Sequence, residues 1–128
     1  MPELTQDSAR EIIALYRPAP EAGRGRGGAA PPARPLGMTR AHHFAVEAPM
    51  LGLTEEGFDW RNWEPHRDGR TLDPEFIASA DTRTLRRIAT AHLRLGRFVG
   101  GHLEQIEATG LLDTVVDRLQ ELAENGEI

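Results

Sequence analysis

Apolar residues return every three to four positions through most of the second half of the chain, a period that predicts helices. Over 82–95 (TRTLRRIATAHLRL), Leu85, Ile88, Ala89 and His92 share one face. Asp81 is placed to cap this helix, and Gly96 to stop it in the left-handed conformation. A helix over 97–109 follows, with Phe98, His102, Leu103 and Ile106 inward and Gly110 as its stop. The last helix, 113–124, begins at the cap Asp113 and turns Val115, Val116, Leu119, Leu122 and Ala123 inward, with Asn125–Gly126 behind it. Upstream, Asp73–Pro74 reads as a cap followed by proline at the first helical position, where its missing N–H costs nothing. PEFIASA then forms a short helix ending near Asp81.

The first half is less regular. Residues 8–17 (SAREIIALYR) predict a short helix with Ser8 and Glu11 as a capping box. Residues 18–37 lose all periodicity and fill with Pro, Gly, Ala and Arg, a composition that cannot repay the entropy of folding. From 38 to 57 the pattern is mixed, and Pro49 and Gly52 interrupt it. It reads as a packed irregular segment with a helical turn around 42–47. FDWRNWEP (58–65) suits one or two helical turns with Asp59 as cap and Pro65 as terminator, followed by a loop. No strand pattern or repeat competes. The fold class is therefore all-α, a small multi-helix domain with short glycine-containing turns, preceded by a flexible Pro/Gly/Arg-rich N-terminal extension. The expected organisation is a short helix in 1–17, a flexible linker over 18–37 and a helical domain over 38–128, best defined at 57–124. Met38, directly after the linker, is a candidate alternative start.

Composition narrows the function classes. At 128 residues the chain is one domain's worth. The absence of cysteine excludes disulfides, zinc–thiolate sites, iron–sulfur clusters and cysteine nucleophiles. No apolar run approaches the ~18 residues of a membrane span, and MPELTQDSAR lacks the form of a signal peptide. The expectation is a soluble cytoplasmic protein without membrane partners. All 15 basic residues are arginine. That suits carboxylate or phosphate recognition, but the codon bias of a GC-rich genome explains it more simply.

Charge is unevenly placed. Residues 82–103 carry Arg83, Arg86, Arg87, Arg94 and Arg97 and no acid, whereas 104–128 carry seven acids against Arg118. A helix-turn-helix reading would send an acidic later helix into the major groove, where phosphate repels it. The RGRGG run in the linker is a single copy without aromatics. With a net charge of −5, nucleic-acid binding through the arginine-rich segment ranks third.

Four motifs, with the Asp73–Pro74 helix start between the first two, together resemble a family of small bacterial and archaeal proteins known only as a domain of unknown function. They are F-D-W-x-x-W (58–63), A-D-x-x-x-L-R-x-I (80–88), R-F-x-x-G-H-L (97–103) and G followed after seven residues by R-L (110–119). The resemblance covers about 57–123, and its most specific piece is Arg97-Phe98-x-x-Gly101-His102. It implies a fold and a focus of attention, and no activity.

That focus falls on GRFVGGHLEQIEATG (96–110). One reading is geometric: Gly101 lets a neighbour approach the backbone, and His102 pins the joint by bonding a carbonyl or Asp side chain. The other is functional, with Arg97 and His102, joined by His92, around a shallow pocket, arginine holding an anion and histidine exchanging protons. A buried, hydrogen-bonded His102 favours the first, and a His102 accessible in a cleft favours the second. Because the chain has five histidines, a facing His92–His102 pair is read as coincidence. His42, His43 and His66 lie in irregular segments without metal-ligand spacing, and no nucleotide or cofactor fingerprint is present. No metal, cofactor or catalytic residue is assigned. Tryptophan and arginine are enriched at binding hot spots. The candidate binding surface is therefore Trp60, Trp63, Arg94, Arg97 and His102. The expected function is protein–protein interaction, with another protein or by self-association. A small enzyme or anion-binding domain using His102 and Arg97 is the alternative.

Overall fold

The computed structural model describes residues 4–16 and 40–128. Within them the α-helices are α1 (Gln6–Tyr16), α2 (Arg40–Glu47), α3 (Glu64–Arg67), α4 (Pro74–Ala78), α5 (Thr82–Leu95), α6 (His102–Ala108) and α7 (Leu111–Glu124), with 3₁₀ turns at Ala48–Leu51 and Arg70–Leu72. No strand occurs among the described residues, so the chain is all-α as the periodicity predicts. The expected linker and Met38 lie outside the described residues. No helix among the described residues is long and apolar enough to cross a membrane.

Helix α7 is the central post, with α1, α4, α5 and α6 all packed against it. Its Val115, Val116, Leu119 and Leu122 are buried at helical spacing, and Ala123 packs on the core. Leu85, Ile88, Ala89 and His92 form the inner face of α5 as predicted. Ala9, Ile12 and Tyr16 of α1 are fully buried in the same core.

Two predicted caps hold. Asp73 accepts from the Glu75 N–H at 3.0 Å, and Asp81 accepts from the Thr84 N–H at 2.8 Å. That bond holds the Asp81 carboxyl below its usual range. Four other termini are corrected: the helix expected from 97 begins at His102, because residues 97–101 form tight turns, and three more differ as follows. The reciprocal cap of α1 is Thr5 with Ser8, whose backbone N–H groups each reach the other's hydroxyl. Helix α1 thus begins two residues before the predicted start, and Ser8 lies inside it. Helix α7 starts from Gly110 rather than Asp113. With φ at +85°, Gly110 ends one helix, as expected, and opens the next. Pro65 opens α3 instead of closing a helix over 58–63. Proline's fixed φ suits a first turn, and the residues before it form tight turns in which Asp59 accepts from the Asn62 amide at 2.7 Å. Residues 40–51, read as mostly irregular, are α2 and a 3₁₀ turn.

Candidate functional site

The joint between α5 and α6 exchanges the roles expected of its glycines. Gly96 has φ −59° and continues the helical course instead of stopping it left-handed. A Cβ there would lie 2.7 Å from Leu103 Cγ, so Gly96 is the close-approach glycine. Gly101 is the left-handed one, at φ +83° with open space where its Cβ would point. It caps α6, whose first residue is His102. This geometry aims the imidazole inward.

His102 and His92 do meet, which overturns the reading of coincidence. His92 Nδ1 lies 3.1 Å from His102 Nε2, and the rings stack at 18° with centroids 5.3 Å apart. On its other side, His92 Nε2 is 2.7 Å from the Thr71 carbonyl oxygen. A carbonyl only accepts, so His92 carries its proton on Nε2. Burial pushes its pKa down to about 4, and the neutral ring offers Nδ1 as an acceptor. His102 must then donate from Nε2. Its own pKa is also lowered, first by burial and then by nearby His66. The neutral His102 ring is left with a lone pair on Nδ1, which has no hydrogen-bond partner among the described residues. His102 pins the joint through a histidine, not through a carbonyl or Asp side chain.

These rings border a pocket of about 560 Å³. One wall is the face of α6 that carries His102, Gln105, Ile106 and Thr109. The facing wall comes from residues 66–74, and His92, Leu95 and Leu111 complete the lining. His66 completes a trio of histidines; its pKa is lowered by burial, and its Nδ1 is buried without a partner. His102 is thus 9% exposed and hydrogen-bonded, yet borders a cleft, which joins the two situations that were expected to exclude one another. The wall contains no charged side chain, and Arg97 stands on the exposed surface outside it. Among the described residues no group of three or more His, Cys, Asp or Glu is arranged to hold a metal ion.

Beside the joint lies an aromatic and cationic surface. Phe98, predicted inward, is 66% exposed, and Val99 is 47% exposed. Continuing the α5 period explains this: Phe98 lies six residues, or about 240°, beyond the buried His92. The Arg61 guanidinium sits 4.8 Å from the Phe98 ring centre and 5.3 Å from that of Trp60. Trp60 meets the His66 ring edge-on at 5.1 Å, so the surface adjoins a residue of the pocket. Trp63 is half-buried against the core and meets Phe58 edge-on at 5.4 Å.

The basic face of α5 divides in two. Arg86 donates to the Gly52 and Thr54 carbonyls at 3.0 Å, while Arg83 and Arg87 pair with Glu55. These three hold the 52–55 loop. Arg94 is half-buried and Arg97 exposed toward the far end of the helix. Of the predicted residues, Trp60 and Arg97 thus belong to the outer surface and His102 to the pocket. His66, Arg61 and the Thr71 carbonyl escaped sequence reading. Ring-stacking and a backbone acceptor leave no local pattern, although the helical phase of Phe98 was legible.

Comparison with curated proteins and with solved structures finds no match. A family model, described as a family of unknown function (DUF6508), matches residues 33–125, which include the joint, the pocket and the aromatic surface. The match spans well over half of the chain, which therefore belongs to the DUF6508 family.

Proposed function

We propose that this chain is a protein-interaction module whose docking surface is built from Trp60, Arg61, Arg97, Phe98 and Val99. The observation that carries this is the exposure of Phe98 and Val99 on a joint held by two helices. Large apolar side chains displayed together, bordered by guanidinium groups, suit desolvation by a partner. Arg61, already stacked on two rings, loses little freedom when it binds. The segment 82–103 carries no acid, so the complementary partner presents carboxylates around an apolar contact. Arg83, Arg86 and Arg87 are held by the 52–55 loop, which leaves a smaller free basic area than a nucleic-acid footprint needs.

The test is quantitative capture from nuclease-treated lysate, comparing wild type with Phe98→Ser and Arg97→Glu. Both substitutions fall at exposed positions, and folding is checked by circular dichroism. A protein retained by wild type and lost with either folded variant supports the module. Self-association is read in parallel by sedimentation velocity of the same three proteins. A monomer that retains nothing the variants lose overturns the proposal.

A further inference from the structure

The pocket bordered by the histidines is separate from the docking surface in chemistry. Its wall is mainly apolar, with Leu72, Leu95, Ile106 and Leu111. Its volume of about 560 Å³ falls in the usual range for small-molecule sites. A second cavity, between Phe44 and Val115, measures about 10 Å³ and can hold no organic ligand. What distinguishes the larger pocket is the lone pair on His102. The Thr71 carbonyl fixes the His92 proton, His92 fixes the His102 proton, and the His102 Nδ1 acceptor is left over. The ring is nine-tenths buried, but Nδ1 is not among the buried atoms left without a partner, so this acceptor reaches the solvent of the pocket, where a water or a ligand donor can answer it.

We propose that this pocket binds a small, uncharged molecule with an apolar body and one O–H or N–H donor, and that His102 Nδ1 accepts that donor's proton in a hydrogen bond. Charge selects against the alternatives. A carboxylate or phosphate would meet imidazole lone pairs and no arginine on this wall, and a protonated amine would find no carboxylate there. Gln105 and Thr109, exposed on the face of α6 that carries His102, provide a polar rim. The inference does not depend on the docking surface and survives its failure.

The full-length chain is titrated with p-cresol, toluene and benzoate while the histidine ring nitrogens are followed by long-range ¹⁵N NMR. The three probes share an aromatic body and differ in donor and charge. p-Cresol is expected to saturate and to shift the His102 Nδ1 resonance. Toluene should bind about tenfold more weakly, because one hydrogen bond to the His102 acceptor is lost, and benzoate more weakly still. Gln105→Trp, at an exposed position on the α6 wall, should fill the pocket and abolish the response without disturbing the fold. His102→Phe should bring p-cresol down to the level of toluene. No saturable shift with p-cresol, equal affinity for toluene, tighter binding of benzoate, or a response indifferent to Gln105→Trp would each overturn the proposal.

Discussion

Two polar clusters, one part-buried around Arg40 and one buried around His92, join the helices of this protein, and they end differently. Where α1, α2, α6 and α7 meet, Arg40 donates to Glu107 at 2.8 Å, to the Tyr16 hydroxyl at 3.3 Å and to the Tyr16 carbonyl at 3.4 Å. Its guanidinium also lies 4.0 Å from the Tyr16 ring centre. Burial, with Asp113 hydrogen-bonded alongside, pushes the Tyr16 phenol up to about 12, so it stays protonated. The cluster around His92 instead has a definite beginning, the Thr71 carbonyl, and an open end at His102 Nδ1. A closed cluster holds helices together. An open one, on the wall of a pocket, offers a ligand a hydrogen bond whose geometry the protein has already fixed.

The largest expected effect breaks the closed cluster. Tyr16→Ala removes a fully buried ring that meets Phe44 edge-on at 5.7 Å, and should cost about 3–5 kcal/mol in urea unfolding. A cost below about 1 kcal/mol would show that α1 contributes little to the core.

Next comes pH, which acts on the open cluster. His92 titrates near 4 when folded against 6.5 as the ordinary value. Between those values the unfolded chain binds a proton that the folded ring refuses. Stability is therefore complete above about pH 6.5 and falls as pH drops toward 4, by on the order of 3 kcal/mol. The lowered pKa of His102 acts with the same sign. His92→Gln, which can still donate to Thr71 and accept from His102, should flatten that part of the stability–pH curve. Parallel curves for wild type and variant would refute the assignment.

A matched pair of smaller changes sharpens the contrast. Tyr16→Phe deprives Arg40 and Asp113 of a partner and should cost about 1–2 kcal/mol. His66→Leu removes a buried nitrogen that has no partner, and should be neutral or stabilising by up to about 1 kcal/mol. Similar losses for both would mean that the two clusters do not differ in kind.

The smallest effect concerns the joint that carries His102. Gly96→Ala gains up to about 1 kcal/mol of helix propensity, but its Cβ meets Leu103 at 2.7 Å; overpacking should leave a net loss of about 1 kcal/mol. Gly100→Ala, with open space around it, should stay within about 0.5 kcal/mol of wild type. Thermal unfolding of the two variants separates them.

Much of the helical frame was legible because it rests on local chemistry. The caps Asp73 and Asp81, the inner face of α5 and the left-handed Gly110 each follow from spacing and backbone preference. Pro65 misled because proline serves equally after one helix or at the start of the next. Gly96 and Gly101 were exchanged because sequence shows that a side chain is missing, and not whether the need is φ or space. The pocket was the least visible part. Its key contacts join residues 21 and 10 positions apart, one of them a main-chain carbonyl that carries no residue identity. His66 comes from a segment without periodicity, so no pattern linked it to the other two rings.

The family match begins at residue 33, yet α1, which precedes it, holds three residues with no exposed surface at all. The border at which relatives become alignable is thus not the border at which this chain stops folding. Trimming the protein to the matched stretch would wet the edge of Phe44 and strip from α7 the helix whose Gln6 amide reaches the Ala123 carbonyl. Translation initiated at Met38 would have the same result. A product begun there would leave this flank of Phe44 and α7 open to water.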